Sequence, residues 1–468
     1  MHNNASKPVS VAPSERVGSH LMPCLEHTIP LISVPVGGRL RPTDIYPSCC
    51  ARRLNAYMLA GQRIIMIEYS NTIQTLSRPL ELPCGTILKN RLAKSPMSDS
   101  LANGQGDPTE AQIRLYERWA EGGAAVSFIG EVQGDPRFPE KPGNLVLGKH
   151  TDQQAIRALA SRAMIEGAHL WPQLGHAGAL SHLPISQPRG PSALDIEDLK
   201  CAGMSVNEVQ ELPDMYARTA LHAKTAGFSG VHLHAGHGFL LSQFLSPLFN
   251  HRNDGYGGSI EARCRIVLEV INEVRRAVGP LFPVGIRINS TDKLEGGLTE
   301  VDALEVVRLL DQTSIDLIDI SGGTYFPGAK ASSDGSSQGP YFRDFARLAK
   351  GITKVPLMVT GGFKTREQAA EALASGDVDM AGLGRAIILN PRLPKVWLAE
   401  GGGNPDFPKF ESPPLGGITA WYTMLLTALG EDRENAFALD LPSAIRVYDE
   451  RDALRCINWR ETFSHLSS

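Results

Sequence analysis

From Leu80 onward the chain repeats one unit, a short apolar run followed by an amphipathic helical pattern. Candidate strands fall at 92–97, 124–132, 169–174, 230–235, 283–289, 315–321, 355–360 and 378–383. Helical periodicity fills the gaps at 110–121, 153–166, 214–226, 260–278, 300–312, 344–350 and 366–375. A helix between two strands carries the chain back to its starting edge, so the strands run parallel. Eight such units can close on themselves and leave no open sheet edge. The expected fold is α/β, a (β/α)8 TIM barrel over residues 71–400. Capping chemistry agrees: Thr365 and Gln368 form a capping box at the head of 366–375, and Gly376 stands where that helix must stop.

The flanks do not repeat. Residues 1–70 open rich in Pro, Ser and Asn and read as an irregular, poorly ordered N-terminal extension. After Pro394 a Pro/Gly-rich stretch leads to helical patterns at 418–429 and 443–458. Residues 401–468 are expected to pack as a loop and helices on the outside or bottom of the barrel.

Composition removes several classes of function. A net charge of −4 offers no field for nucleic acid or an anionic membrane. Seven cysteines, an odd number with no C-x-x-C pair, indicate neither a disulfide framework nor a zinc knuckle. A reducing, cytoplasmic setting follows as the expectation. The apolar run 29–36 is short and holds Pro30 and Pro35, which makes a poor signal-peptide core. A small-molecule substrate is the expected partner, and a homo-oligomer stays open.

Chemistry concentrates where strands give way to loops. In Gly230-Val231-His232-Leu233-His234-Ala235-Gly236-His237, alternation puts Val231, Leu233 and Ala235 on one face and His232 and His234 on the other. His237 follows in the loop. Three readings stay open at this point: satisfied polar residues, an H-x-H zinc pair of a barrel hydrolase, or hydrogen-bond donors for a substrate oxygen. Thr360-Gly361-Gly362 and Gly382-Leu383-Gly384-Arg385 end the last two strands. Glycines there admit an anion to backbone N–H groups and Arg385 adds charge, which suits a phosphate-bearing ligand. Arg287 falls on the inward face of its strand, either toward an anionic ligand or paired with a barrel carboxylate. Gln173 offers a donor and an acceptor to a flat heterocycle, or serves structure alone.

Between Leu80 and Pro394 the chain resembles the old yellow enzyme family of FMN-dependent NAD(P)H oxidoreductases. The resemblance rests on Lys89-Asn90-Arg91 with Ser95-Pro96-Met97, Tyr116-Glu117-Arg118-Trp119-Ala120-Glu121-Gly122-Gly123, and Gln173-Leu174-Gly175-His176-Ala177-Gly178. It continues through 227–247, Asp254-Gly255-Tyr256-Gly257-Gly258-Ser259, Gly361-Gly362 and Gly384-Arg385-Ala386. So many pieces in order make a specific signal.

The resemblance implies FMN as cofactor, NAD(P)H as reductant and no metal. Ser95, Pro96, Met97 and Ser98 would line the flavin, Gly130 would back it, and Gln173 and Arg287 would meet its pyrimidine edge. Gly361, Gly362, Gly384 and Arg385 would hold the phosphate. His234 and His237 would grip the carbonyl oxygen of an α,β-unsaturated substrate, with His232 structural. This chain also departs from the family pattern. Phe239 stands where a tyrosine usually gives a proton, Ser100 where one branch carries an aromatic residue, and Ala179 where an arginine is usual. Tyr325 is a candidate substitute donor beside the substrate. The expected activity is that of an ene-reductase. The alternatives are a flavin-dependent isomerase or dehydrogenase, a catalytically silent flavin-binding protein, and the metal-dependent hydrolase.

Overall fold

The computed structural model describes residues 71–196, 198–329 and 339–466. The expected extension at 1–70 lies outside the described residues. Eight parallel strands close the barrel: β1 (Leu92–Met97), β2 (Val126–Gln133), β3 (His169–Gly175), β4 (Val231–Ala235), β5 (Val284–Asn289), β6 (Leu317–Ser321), β7 (Leu357–Thr360) and β8 (Met380–Leu383). Each pairs with the next, and β8 returns to β1 through Ala381–Leu92 and Leu383–Lys94.

Around them run α1 (Glu110–Glu121), α2 (Gln153–Arg162), α3 (Val206–Ala226), α4 (Ile260–Val278), α5 (Glu300–Leu310), α6 (Arg343–Lys350), α7 (Arg366–Ala374) and α8 (Gly417–Gly430), followed by α9 (Leu441–Phe463). The helix expected at 214–226 starts eight residues earlier, at Val206. Ser205 and Glu208 form a full capping box that fixes this start, and Pro213 sits inside the helix for the loss of one backbone hydrogen bond. Among the described residues no helix is long and apolar enough to cross a membrane.

The barrel interior has two storeys. At the N-terminal ends of the strands Ala93, Phe128, Trp171, Leu317, Met358 and Met380 form an apolar layer with Leu80, Leu82 and Leu88. Leu80 and Leu88 belong to a short ribbon, Leu80–Glu81 with Ile87–Leu88, and Leu82 to its turn, and together they plug the bottom. Phe128 and Trp171 meet edge to face at 5.5 Å, and burying each ring stabilises the fold by about 2–3 kcal/mol. Above this layer Ser95, Gln173, His232, His234, Arg287 and Asp319 are all buried. Buried polar groups need partners, and these find one another. Arg287 Nε donates to Asp319 Oδ2 at 2.7 Å, Thr360 Oγ1 to Asp319 Oδ1 at 2.7 Å, and Gln173 Nε2 lies 3.0 Å from His232 Nδ1.

With the ribbon below, the C-terminal helices reach the other end. α8 packs against α1 and brings Thr419, Tyr422 and Thr423 to the barrel mouth. The polar storey and the mouth together make the site.

Candidate active site

A cavity of about 400 Å3 opens at the C-terminal ends of the strands, within the range usual for small-molecule sites. Its floor and walls include Pro96, Met97, Ser98, Gln173, His234, His237, Arg287, Gly361, Gly362, Gly384 and Arg385. Strands far apart in sequence supply them, as barrel closure requires.

One end is built from backbone. Gly361 and Gly362 hold φ of +105° and +87° after β7, conformations that L side chains rarely adopt. A Cβ on Gly362 would lie 2.2 Å from Gly339 O, so no other residue fits. Arg385 follows β8, its guanidinium carbon 5.8 Å from the centre of the Tyr422 ring. Backbone left open by glycine and one fixed cation form a cradle for an anion.

The middle of the cavity joins Pro96, Met97 and Ser98 to Gln173 and Arg287. Arg287 is paired with Asp319, the carboxylate reading of this arginine, and also reaches Thr360 Oγ1 at 3.0 Å. The ion pair holds the guanidinium rigid while one side of it lines the cavity. Ser95 and Gly130 stand in the wall without lining the cavity. Ser95 Oγ lies 3.0 Å from Thr360 Oγ1. A Cβ on Gly130 would lie 2.2 Å from the carbonyl carbon of Met97, so glycine here lets β2 press against β1. A cationic cradle at one end, a guanidinium beside an amide in the middle, and a slot between them fit FMN. Gly361, Gly362, Gly384 and Arg385 would hold its phosphate, and Gln173 and Arg287 the polar edge of its ring.

The far end is built from side chains. The His234 and His237 rings lie 5.2 Å apart and nearly perpendicular. Burial, reinforced by the Arg287 charge, holds both well below the usual imidazole pKa, so both are neutral. His237 adopts φ +59°, a left-handed conformation rare outside glycine. Its N–H donates to Asn289 Oδ1 at 2.9 Å and its Nε2 lies 2.9 Å from Ser321 Oγ, contacts that hold the strained turn. The Phe239 ring packs 5.0 Å from His234 and 5.8 Å from Tyr325. Tyr325 is 64% exposed, at the opening. Beyond Phe239 and Tyr325 the cavity meets a chamber of about 790 Å3 that also borders Ser98, Glu140, Ile445 and Tyr448. Glu140 accepts from Ser98 Oγ at 2.9 Å, and burial pushes its pKa up to about 7.

One residue at this end escapes the sequence reading. Alternation from Phe128 sends Glu131 away from the barrel axis. The structure instead pairs Ile129 with Pro172 but Val132 with Leu174, so β2 carries one extra residue. The extra residue makes a bulge at Gly130–Glu131. Glu131 takes φ +55° and joins the cavity wall, with Oε1 3.1 Å from His234 Nε2. No local sequence signal announces it.

The H-x-H pair is divided between different partners: His232 faces Gln173, and His234 faces Glu131. Among the described residues no three His, Cys, Asp or Glu side chains come together as a metal site.

Comparison with known proteins agrees with this geometry. The model of the NADH:flavin oxidoreductase / NADH oxidase family matches residues 75–398. An NADH-dependent flavin oxidoreductase of Hypocrea jecorina (strain QM6a) is 33% identical over 353 residues, covering 68% of this chain and 88% of its own. Another, from Neonectria sp. (strain DH2), is 34% identical over 389 residues and covers 74% of this chain. The match takes in 49% of that relative, so the chain spans about half its length. Among solved structures, morphinone reductase superposes with a TM-score of 0.61 at 25% identity, covering 71% of this chain and 91% of that one.

Proposed function

The chain belongs to the NADH:flavin oxidoreductase / NADH oxidase family, that of the old yellow enzymes, and from that premise we propose that it is an ene-reductase using NADH or NADPH. Its substrate is an activated alkene, an α,β-unsaturated carbonyl compound. When bound, FMN supplies the two-electron chemistry, taking hydride from the nicotinamide and giving it to the alkene β-carbon. The protein supplies the rest. The observation that carries this reading is the pair of neutral imidazoles, His234 and His237, at the cavity wall beyond Arg287. Two such N–H donors meeting one substrate oxygen would draw charge out of a conjugated carbonyl, and removing one donor of this kind typically lowers turnover 10²–10³-fold.

Phe239 bears on the second half of the reaction, because a phenyl ring has no proton to give. Tyr325, with its ring centre 6.2 Å from that of His237, is a hydroxyl-bearing ring at the opening. The same absence supports a second reading, a flavin-dependent isomerase or dehydrogenase whose cycle needs no protonation at carbon. Phe239→Tyr separates the two on a cyclic enone. Faster net reduction in the variant supports the ene-reductase with a limiting proton. Unchanged net reduction, together with double-bond migration in the products, supports the isomerase.

A further inference from the structure

Glu131 has no part in the reading above, yet it is built into the same wall. The β2 bulge turns it inward at a strained φ of +55°, and it is 4% exposed. Backbone strain at a non-glycine residue persists where surrounding structure enforces it, and such positions gather at functional sites. The Gly236 N–H donates to His234 Nδ1 at 3.3 Å. With Nδ1 accepting, Nε2 carries the ring hydrogen, and Glu131 Oε1 receives it at 3.1 Å. Glu131 Oε2 is buried and has no hydrogen-bond partner. Gly175 leaves room for it, since a Cβ there would lie 2.5 Å from that oxygen. A carboxylate with one bare buried oxygen is poorly compensated, whereas a carboxylic acid in the same place carries no charge to compensate.

The charged and titratable groups around it come from several elements. Arg287 of β5 favours ionisation, and His234 of β4 is neutral. Glu140, Tyr325 and Tyr216 of α3 are the other titratable groups in electrostatic reach. Burial outweighs Arg287 and pushes the Glu131 pKa up to about 8.

We propose that Glu131 is a third oxygen-binding donor of the site, a neutral carboxylic acid that meets the substrate oxygen beside His234 and His237 and gives it the proton Phe239 lacks. The idea rests on the carbonyl reading above. A substrate oxygen would take over the place that Glu131 Oε1 holds at His234 Nε2, and so comes within reach of the acid. Once the substrate has gained hydride derived from NAD(P)H it is an enolate. The Glu131 O–H bond breaks, an O–H bond forms on the enolate oxygen, and the electron pair stays on Glu131 as carboxylate. The enol becomes the ketone by water-assisted tautomerisation, and Glu131 recovers a proton from water through the open chamber. A buried acid kept neutral to serve an oxyanion has precedent in enzyme chemistry.

The test uses FMN-loaded wild type, Glu131→Gln and Glu131→Asp. Cyclohexanone, which has no activated alkene, serves as the probe and is titrated calorimetrically between about pH 6.5 and 9.5. Wild-type affinity falls about tenfold over that range as the acid ionises, while the Gln variant, which still donates but does not titrate, stays flat. Difference infrared spectra show a deuterium-sensitive carboxylic acid band in wild type at neutral pH that is absent from Glu131→Gln. Turnover of cyclohexenone by Glu131→Gln drops on the order of 10²-fold in kcat with KM within about threefold, and Glu131→Asp recovers part of it. Absence of the acid band, or the same pH profile in wild type and Gln variant, overturns the proposal while leaving the carbonyl reading intact. Failure of cyclohexanone to bind wild type at any pH, with the band present, removes the carbonyl reading and this role with it.

Discussion

The two ends of the cavity are made of different material. At the anion end the work falls to backbone: Gly361, Gly362 and Gly384, with the cation Arg385. At the other end it falls to side chains: His234, His237, Glu131, Phe239 and Tyr325. Backbone cradles leave no volume for variation, as the 2.2 Å approach at Gly362 demonstrates. Side chains on a fixed barrel can be exchanged singly without disturbing the frame. On the proposed assignment, retention of the cofactor and choice of reaction are separable properties of this molecule.

The largest expected effect attacks the backbone end. Gly362→Val forces a β-branched side chain into a left-handed conformation and against Gly339, so FMN affinity falls by about 10²-fold or more in a fluorescence titration. His234→Ala, at the other end, leaves FMN affinity within about threefold but lowers kcat/KM for an enone about 10²–10³-fold. Loss of FMN from the His234 variant breaks the division. Phe239→Tyr sharpens it: enone reduction rises about tenfold, the lower range for an added general acid, with bleaching by NAD(P)H unchanged.

The last prediction concerns stability and not catalysis. The Glu131 pKa is raised from 4.5 to about 8 on folding, so the folded state binds more protons between those values. Its contribution is complete below about pH 4.5 and is lost as pH rises through about 8. Urea titrations should find wild type losing stability relative to Glu131→Gln across that window. Parallel curves would show that Glu131 is ionised throughout.

The same division explains what the sequence made legible. Glycine runs at strand ends, and an arginine after the last one, suit an anion in a parallel barrel as well as plain tight turns, so the sequence could propose an anion end from Gly361 to Arg385. His232 and His234 could be placed inward because β4 is regular. Glu131 could not, because strand alternation fails where a bulge inserts a residue. The start of α3 was hidden for a related reason. Pro213 reads as a helix breaker, and only the Ser205–Glu208 cap outweighs it. The position of α8 at the mouth depends on tertiary packing that no local pattern records.

The most direct test separates the two half-reactions. FMN-loaded protein is reduced anaerobically with NADH or NADPH until the yellow colour bleaches, then mixed with cyclohexenone in a stopped-flow instrument. The account predicts that the colour returns with one equivalent of cyclohexanone formed per flavin. If the enone leaves the protein bleached, and only dioxygen restores the colour, the ene-reductase assignment is wrong.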